Sequence, residues 1–172
     1  MILSLLVIMI PVAIFAAILT DGPDKPQVKA VDWQAIAQQA RQQAPFEILT
    51  PSALPNGWTA TRASWTKAGQ TDPTGNRSPR NRWQLGVLTG NEIYLELDQV
   101  DKQAGDFVDN LTRHGSADGT TTIDGQSWNR LASDDERTRA LVRKASGVTT
   151  VVSGDASYQQ LGTYAGLLQT TA

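Results

Sequence analysis

Cysteine is absent from the 172-residue chain, and histidine occurs once, at His114. Without cysteine there are no disulfide bonds, iron–sulfur clusters, thioether-attached haem groups or thiol nucleophiles. No serine or cysteine motif accompanies His114, and the sequence has no histidine–carboxylate cluster with the spacing of a zinc site. The sequence therefore predicts no catalytic residue, no metal ligand and no cofactor.

An excess of charge of either sign is also lacking, because 15 basic residues face 17 acidic ones and the formal net charge is −2. This balance gives no reason to expect a nucleic acid as a partner. The acidic residues Asp98, Asp101, Asp106 and Asp109 are close in sequence, but they lack the glycine and glutamate spacing of a calcium loop. We expect these carboxylates to cap a helix or to lie on a solvated face.

One long apolar run is present, from Met1 to Leu19, with Ser4 as its only polar side chain. At about 1.5 Å per residue, a helix of this length spans roughly the hydrocarbon core of a bilayer. A buried core helix would show a polar stripe, and this run has none. A cleaved signal is disfavoured because the best small-residue pair, Thr20 and Gly22, would put Pro23 directly after the cut, and a lipoprotein would need a cysteine. We therefore predict an uncleaved, single-pass anchor at residues 1–19. The charges beside it nearly cancel, so they leave its orientation open.

A stalk and one domain follow the predicted anchor. Residues 20–31 contain Asp-Gly-Pro-Asp-Lys-Pro, in which proline and glycine block regular structure, so we predict a stalk linker. Residues 32–172 are long enough for a single domain with its own hydrophobic core. Short turns separate most of the predicted strands, which indicates an α+β fold with a mainly antiparallel sheet and packed helices. The predicted elements are helices at 32–44, 104–114 and from 155 onward, and strands at 46–49, 58–65, 82–89, 92–98, 120–123, 126–132, 138–144 and 148–153.

Alternation and capping patterns predict details within these elements. The strand at 92–98 is expected to be half-buried, with its apolar side chains toward the core and its polar ones, including Glu96 and Asp98, on the opposite face. Gly115 is predicted to end the second helix. Asp155 is predicted to cap the third.

Trp58 and Trp83 each open a predicted strand. We expect both rings to lie in or beside the interface between the sheet and the helices, because burial of a large aromatic ring is strongly stabilising. A binding groove lined by some of the tryptophans is the alternative.

The stretch from Lys67 to Asn81 is rich in glycine, proline, asparagine and serine, and we expect an exposed loop that joins two strands. With Arg82 directly after it, the stretch carries the candidate binding residues Lys67, Arg77, Arg80 and Arg82. These cations predict contact with anionic lipid head groups or a wall polymer. The alternative is a solvated loop without a partner.

Short motifs along the chain carry a family resemblance: Ala44-Pro45-Phe46, Leu54-Pro55-x-Gly57-Trp58, Trp65, Trp83-x-Leu85-Gly86, Asp124-Gly125-x-x-Trp128 and Val152-x-Gly154-x-Ala156. The ordered set resembles the actinobacterial domain-of-unknown-function family 4245, over nearly the whole chain. The resemblance implies an N-terminal membrane helix followed by one outward-facing domain. The family has no established activity, so no catalytic residue is carried over. The alternation of sheet and helix also resembles a Mog1/PsbP-like α/β sandwich, a likeness of fold that assigns no function.

These features together predict a membrane-anchored, extracytoplasmic domain of the cell envelope with a non-catalytic binding or scaffolding role. One alternative is a ligand, lipid or wall-polymer binder that uses the basic stretch at 67–82. The other is an envelope enzyme with dispersed acid and base residues. A deep cleft with converging carboxylates favours the enzyme, and a flat or shallow surface favours the binding domain.

Overall fold

The computed structural model describes residues 29–71 and 75–170. The predicted anchor at 1–19 and most of the predicted stalk lie outside these residues. Within them, no helix is long and apolar enough to cross a membrane. The helices are α1 (Trp33–Gln43), α2 (Ala104–Leu111) and α3 (Tyr158–Gly166). The strands are β1 (Leu49–Pro51), β2 (Thr59–Thr66), β3 (Arg82–Leu88), β4 (Tyr94–Val100), β5 (Ser116–Ile123), β6 (Gln126–Ala132), β7 (Arg139–Ala145), β8 (Val148–Gly154) and β9 (Leu168–Thr170).

Seven strands form one sheet in the order β2-β3-β4-β8-β7-β6-β5, and every neighbouring pair is antiparallel. Strands β2 to β4 form one meander and strands β5 to β8 form another. The pairing of β4 with β8, from Glu96 opposite Ser153 to Val100 opposite Thr149, joins the two meanders. β1 and β9 form a separate two-stranded sheet. The prediction of an α+β fold with a mainly antiparallel sheet is confirmed.

Helices cover both faces of the seven-stranded sheet. Trp33 of α1 and Leu161 of α3 belong to the larger hydrophobic core. Phe107 of α2 packs against a second, smaller cluster. Leu141 of β7 belongs to the larger core, and its neighbour Val142 belongs to the smaller cluster. Because successive strand side chains point to opposite faces, α1 and α3 lie on one face of the sheet and α2 lies on the other.

The second half of β4, from Leu97 to Val100, is buried on both faces, which corrects the prediction of a half-buried strand there. Leu95 and Leu97 lie in the larger core as expected, but Asp98, on the opposite face, is also fully buried. The covering element is α2, whose Phe107 ring lies under the guanidinium group that pairs with Asp98. The alternation within one strand carries no information about a helix that packs on its polar face.

A side chain caps the start of α1 and of α3, and only the cap of α1 is the predicted residue. Asp32 caps α1 as expected, because its carboxylate accepts the backbone amide three residues later at 3.3 Å. The cap of α3 is Ser157 rather than Asp155, and Ser157 forms a capping box with Gln160. Asp155 instead accepts a hydrogen bond from the hydroxyl group of Thr138 at 2.7 Å. That bond ties the turn after β8 to the start of β7.

α2 ends in a Schellman motif, not at Gly115 as predicted. The amide of His114 donates to the carbonyl of Asp109 at 2.7 Å, and the amide of Arg113 donates to the carbonyl of Asn110 at 3.3 Å. The left-handed position of this motif is occupied by Arg113, with φ of 53°. Gly115 is needed for another reason, because a Cβ atom there would lie 2.8 Å from a carbonyl oxygen of β6.

Trp83 links the main sheet to β1. Its ring is fully buried in the larger core, and its indole N–H donates to the carbonyl of Leu49 at 3.0 Å. Gln99 of β4 binds the same segment. Its side chain accepts a hydrogen bond from the Leu49 amide at 2.7 Å and donates one to the Glu47 carbonyl at 3.1 Å. Trp58 is half-buried against the same core. Both tryptophans therefore lie where the sequence predicted.

Replacement of Trp83 by alanine should lower the free energy of unfolding by about 3–5 kcal/mol, because it leaves a large cavity and removes the bond to β1. Urea unfolding of a piece spanning residues 29–172 measures the change. Arg77→Ala, at an exposed position, is the control and should change stability by less than about 0.5 kcal/mol. Equal stability of Trp83→Ala and the parent would show that the ring is not part of the core.

Replacement of Arg113 by glycine should stabilise the fold by about 1 kcal/mol, because glycine adopts the left-handed conformation without a steric penalty. Arg113→Ala is the matched control, since alanine also loses the guanidinium group but keeps the strain. A thermal melt of the two variants compares them directly. A glycine variant no more stable than the alanine variant would contradict the assignment of strain to this position.

Candidate functional site

The stretch at 67–82 includes the loop that joins β2 to β3, as predicted, and hydrogen bonds hold its described residues, 67–71 and 75–82. The amide of Gly69 donates to the carbonyl of Ser78 at 2.8 Å. Thr71 and Arg77 form an antiparallel bridge farther out. The described part of this stretch therefore holds its side chains in defined positions.

The stretch is also tied to the connection between β4 and α2. The backbone amide of Asn81 donates to Asp101 at 3.0 Å, and its side-chain amide donates to the other carboxylate oxygen at 2.6 Å. The guanidinium group of Arg80 donates to the carbonyl of Gln103 at 2.6 Å. Asp101 therefore secures a loop, whereas the sequence predicted a helix cap or a solvated face for the acidic group to which it belongs.

Two of the four candidate binding residues, Arg80 and Arg82, converge on the ring of Phe107. Their guanidinium carbons lie 5.2 and 4.9 Å from the ring centroid. Burial, and then the neighbouring charge of Arg82, lower the pKa of Arg80. Arg82 also donates to Asp98 at 2.7 Å. These contacts dock α2 on the sheet, because a cation over an aromatic ring contributes about 0.5–2 kcal/mol.

The other two candidates, Lys67 and Arg77, are exposed on the outer part of the stretch. The structure adds two cations that the sequence did not single out. Lys102 and Lys144 are both exposed, and they line one shallow cavity of about 490 Å³. Lys102 precedes Gln103, which receives the hydrogen bond from Arg80. A binding role for these residues stays a prediction.

A buried polar network lies beneath α2. Asp98 has one oxygen bonded to Arg82, and its Oδ2 atom accepts no hydrogen bond from the described residues. Gln84 donates to Glu96, and Ser64 donates to Gln84 at 3.1 Å. Burial, against the opposing effect of Arg82, raises the pKa of Asp98 from 3.8 to about 7. Asp98 is therefore a costly buried charge rather than part of a solvated face.

A cleft of about 450 Å³ lies beside this network. Tyr94 and Glu96 of β4 line one wall, Arg113 lies after α2, and Ser153 and Asp155 lie at the end of β8. Burial, and then the Glu96 carboxylate, raise the pKa of Tyr94. Asp98 is not among the lining residues, so its carboxyl group does not open into the cleft.

His114 lies on the surface, where its Nδ1 atom is 2.6 Å from a carboxylate oxygen of Asp109. In residues 29–71 and 75–170, no group of three or more histidine, aspartate or glutamate side chains is arranged to hold a metal ion.

The fold should become less stable as pH rises from about 4 to about 7, because folded Asp98 binds a proton more tightly than unfolded Asp98. The stability that this proton provides is complete below the pKa of Asp98 in the unfolded chain and is lost as pH rises through the folded pKa near 7. Over this range the free energy of unfolding falls by on the order of 2–4 kcal/mol. Asp98→Asn should remove this dependence, because an amide does not titrate in this range. Urea unfolding at several pH values measures both effects. Parallel pH profiles for the two proteins would exclude Asp98 as the source.

Comparison with known proteins places the chain in one family. No curated protein matches it. The family model described as "Protein of unknown function (DUF4245)" matches residues 1–168. This match covers almost the whole chain and agrees with the ordered motifs described above. The chain therefore belongs to the DUF4245 family.

Proposed function

We propose that this protein is a membrane-anchored envelope component whose folded domain lies outside the membrane and binds a partner without catalysing a reaction. The anchor in this proposal is the apolar run Met1–Leu19. The proposed binding site is the basic stretch at 67–82, in which Lys67 and Arg77 are exposed.

The observation that supports a binding role is the order within this stretch. The bridge between Thr71 and Arg77 and the bonds that Asn81 makes to Asp101 hold the described part of the stretch in place. Ser78, buried within the stretch, donates its hydroxyl hydrogen to the carbonyl of Arg80 at 2.6 Å. A surface that is held in place before it meets its partner loses less conformational entropy on binding.

The location of the acidic groups supports a role without catalysis. A catalytic acid must reach the proton that it transfers, at about 2.6–3.2 Å or through one water molecule. Asp98 has a pKa near neutrality, but it is fully buried and paired with Arg82. Its shifted pKa is explained by its position in the fold, as for other buried structural ion pairs.

An enzyme remains the second candidate, and the cleft beside β4 is the observation that favours it. Tyr94, Glu96 and Asp155 bring one phenol and two carboxylates to the same cleft. For such a site, Glu96→Gln would abolish activity and leave the fold intact. Screening the parent and this variant against envelope glycans and esters separates the two candidates.

We also propose that the fold is a Mog1/PsbP-like sandwich. Support comes from the antiparallel sheet with α1 and α3 on one face and α2 on the other. This likeness would concern architecture alone.

Protease treatment of intact cells should degrade the domain, since the proposal places it outside. The exposed lysine and arginine residues, Lys67 and Arg77 among them, provide cleavage sites for trypsin. Immunodetection of the carboxyl-terminal part before and after lysis measures the loss, and a cytoplasmic protein that stays whole is the control. A domain that is protected until the cells are lysed would mean that the orientation is reversed.

A further inference from the structure

Tyr94 opens β4, and its ring lies across Gly86 of the neighbouring strand β3. A Cβ atom on Gly86 would overlap the phenol oxygen and would lie 2.8 and 2.9 Å from the ring atoms Cζ and Cε2 of Tyr94. Gly86 does not have a positive φ, so its backbone conformation is open to other residues. What requires glycine at this position is therefore the ring of Tyr94, which occupies the space of a side chain.

The ring of Tyr94 is exposed, yet its polar edge is fixed. Among the residues that the structure describes, Tyr94 is the one large hydrophobic side chain that is exposed, at 39%. Its phenol donates a hydrogen bond to Glu96. Glu96 also accepts a hydrogen bond from Gln84, which in turn accepts one from Ser64 at 3.1 Å. The ring is therefore held in place before a ligand binds, which lowers the entropic cost of binding.

Tyr94 forms part of the wall of the cleft of about 450 Å³ described above, which we call the Tyr94 cleft. This volume is within the range of ligand pockets, about 300–1,000 Å³. Arg113 supplies hydrogen-bond donors to the cleft, and Asp155 supplies acceptors. Asp155 already accepts a hydrogen bond from Thr138 at 2.7 Å, but a carboxylate has about four lone-pair sites, so others remain for a ligand.

The charges around the Tyr94 cleft are nearly balanced. Four carboxylates and three guanidinium groups line it or lie beside its lining residues: Glu92, Glu96, Asp135 and Asp155, with Arg62, Arg113 and Arg137. Asp98, the next carboxylate along β4, forms a buried pair with Arg82 and adds no net charge. A strongly charged ligand of either sign therefore gains little here, whereas an uncharged ligand with many donors and acceptors fits the lining.

From this arrangement we infer that the Tyr94 cleft binds an uncharged pyranose sugar of a glycan, with the sugar ring stacked on Tyr94. One face of a pyranose carries mostly C–H groups, which pack on an aromatic ring, while its hydroxyl groups both donate and accept hydrogen bonds. Arg113 and Asp155 provide the complementary groups. The methyl group of an acetamido substituent would contact the apolar part of the lining, Ile93 and Leu111. The site is separate from the basic stretch, and it depends neither on the anchor nor on the orientation of the domain.

The test uses the full chain in phosphatidylcholine nanodiscs with isotope-labelled tyrosine rings. The probe is tri-N-acetylchitotriose, an uncharged trisaccharide of N-acetylglucosamine. The chain contains three tyrosines, and nuclear magnetic resonance follows the ring signals of each. The Tyr94 signals should shift with a dissociation constant of about 1 mM or below, and those of the buried Tyr164 should not. Unchanged Tyr94 signals at about ten times that sugar concentration would overturn the inference.

Gly86→Ala tests the position of the ring without removing it. The added methyl group displaces the ring of Tyr94 and should weaken sugar binding about tenfold or more. Gly105→Ala is the matched control, because a Cβ atom there meets nothing within 4 Å, and binding should change less than about twofold. Equal affinities of the two variants would overturn the inference.

Substitutions of Tyr94 itself give the second comparison. Tyr94→Ala should weaken sugar binding about tenfold or more, whereas Tyr94→Phe keeps the ring and should stay within about threefold of the parent. Because Tyr94 is exposed, both variants should melt close to the parent, which separates lost binding from misfolding. Equal losses of affinity in the alanine and phenylalanine variants would overturn stacking as the mode of binding.

The deacetylated trisaccharide, which carries an amine on each ring, distinguishes recognition of a sugar from recognition of a cation. It should bind the parent no more tightly than the acetylated probe does, because the arginines beside the cleft balance its carboxylates. Binding of the amine form alone would show that the carboxylates hold a cation, and it would overturn the inference.

Discussion

The pairing of β4 with β8 is the contact on which the rest of the domain depends. Each meander is built from strands that are neighbours in sequence, joined by short turns except between β2 and β3, where residues 67–81 intervene. β4 and β8 are separated by α2 and three strands, yet five residue pairs join them. Without this pairing there is no continuous sheet for the helices to cover. Since long-range pairing closes a long loop, its entropic cost must be balanced by the burial that it allows.

That burial has an electrostatic consequence. Because β8 lies beside β4 and α2 covers the sheet, the Asp98 carboxylate is shielded from solvent. Its charge is balanced by the hydrogen bond that Arg82 donates. Arg82 and Arg80 in turn hold Phe107 of α2. A buried ion pair of this kind contributes little net stability, because the cost of desolvation offsets the attraction. Its value to the protein lies in the position that it gives to α2 and to the basic stretch.

Local features of the fold could be predicted from the sequence, whereas contacts between distant segments could not. The hairpin of β3 and β4 and the cap at Asp32 follow from alternation and from a side chain that accepts a nearby amide. The start of α3 was missed although Ser157 and Gln160 have capping-box spacing, so that signal was available. Arg113 gave no signal, because the left-handed position after a helix is usually glycine.

The same distinction applies to the candidate site. The cations between Lys67 and Arg82 are close in sequence, so a local reading finds them. Neighbouring residues in the sequence do not show that Arg82 faces Asp98 beneath a helix. They also do not show that Lys102 and Lys144 lie at the same end of the sheet. Both facts depend on the order of strands, and strand order across a long connection is not encoded in alternation.

A distance measurement tests the pairing of β4 with β8 most directly. The chain has no cysteine, so spin labels can be attached to single introduced cysteines at Lys102 and Lys144, and in a second sample at Lys102 and Glu136. Because a strand of seven residues is about 23 Å long, the second distance should exceed the first by roughly that length. A short distance between positions 102 and 144 together with a long one between 102 and 136 is the predicted result. Equal distances, or a shorter second distance, would contradict the pairing of β4 with β8.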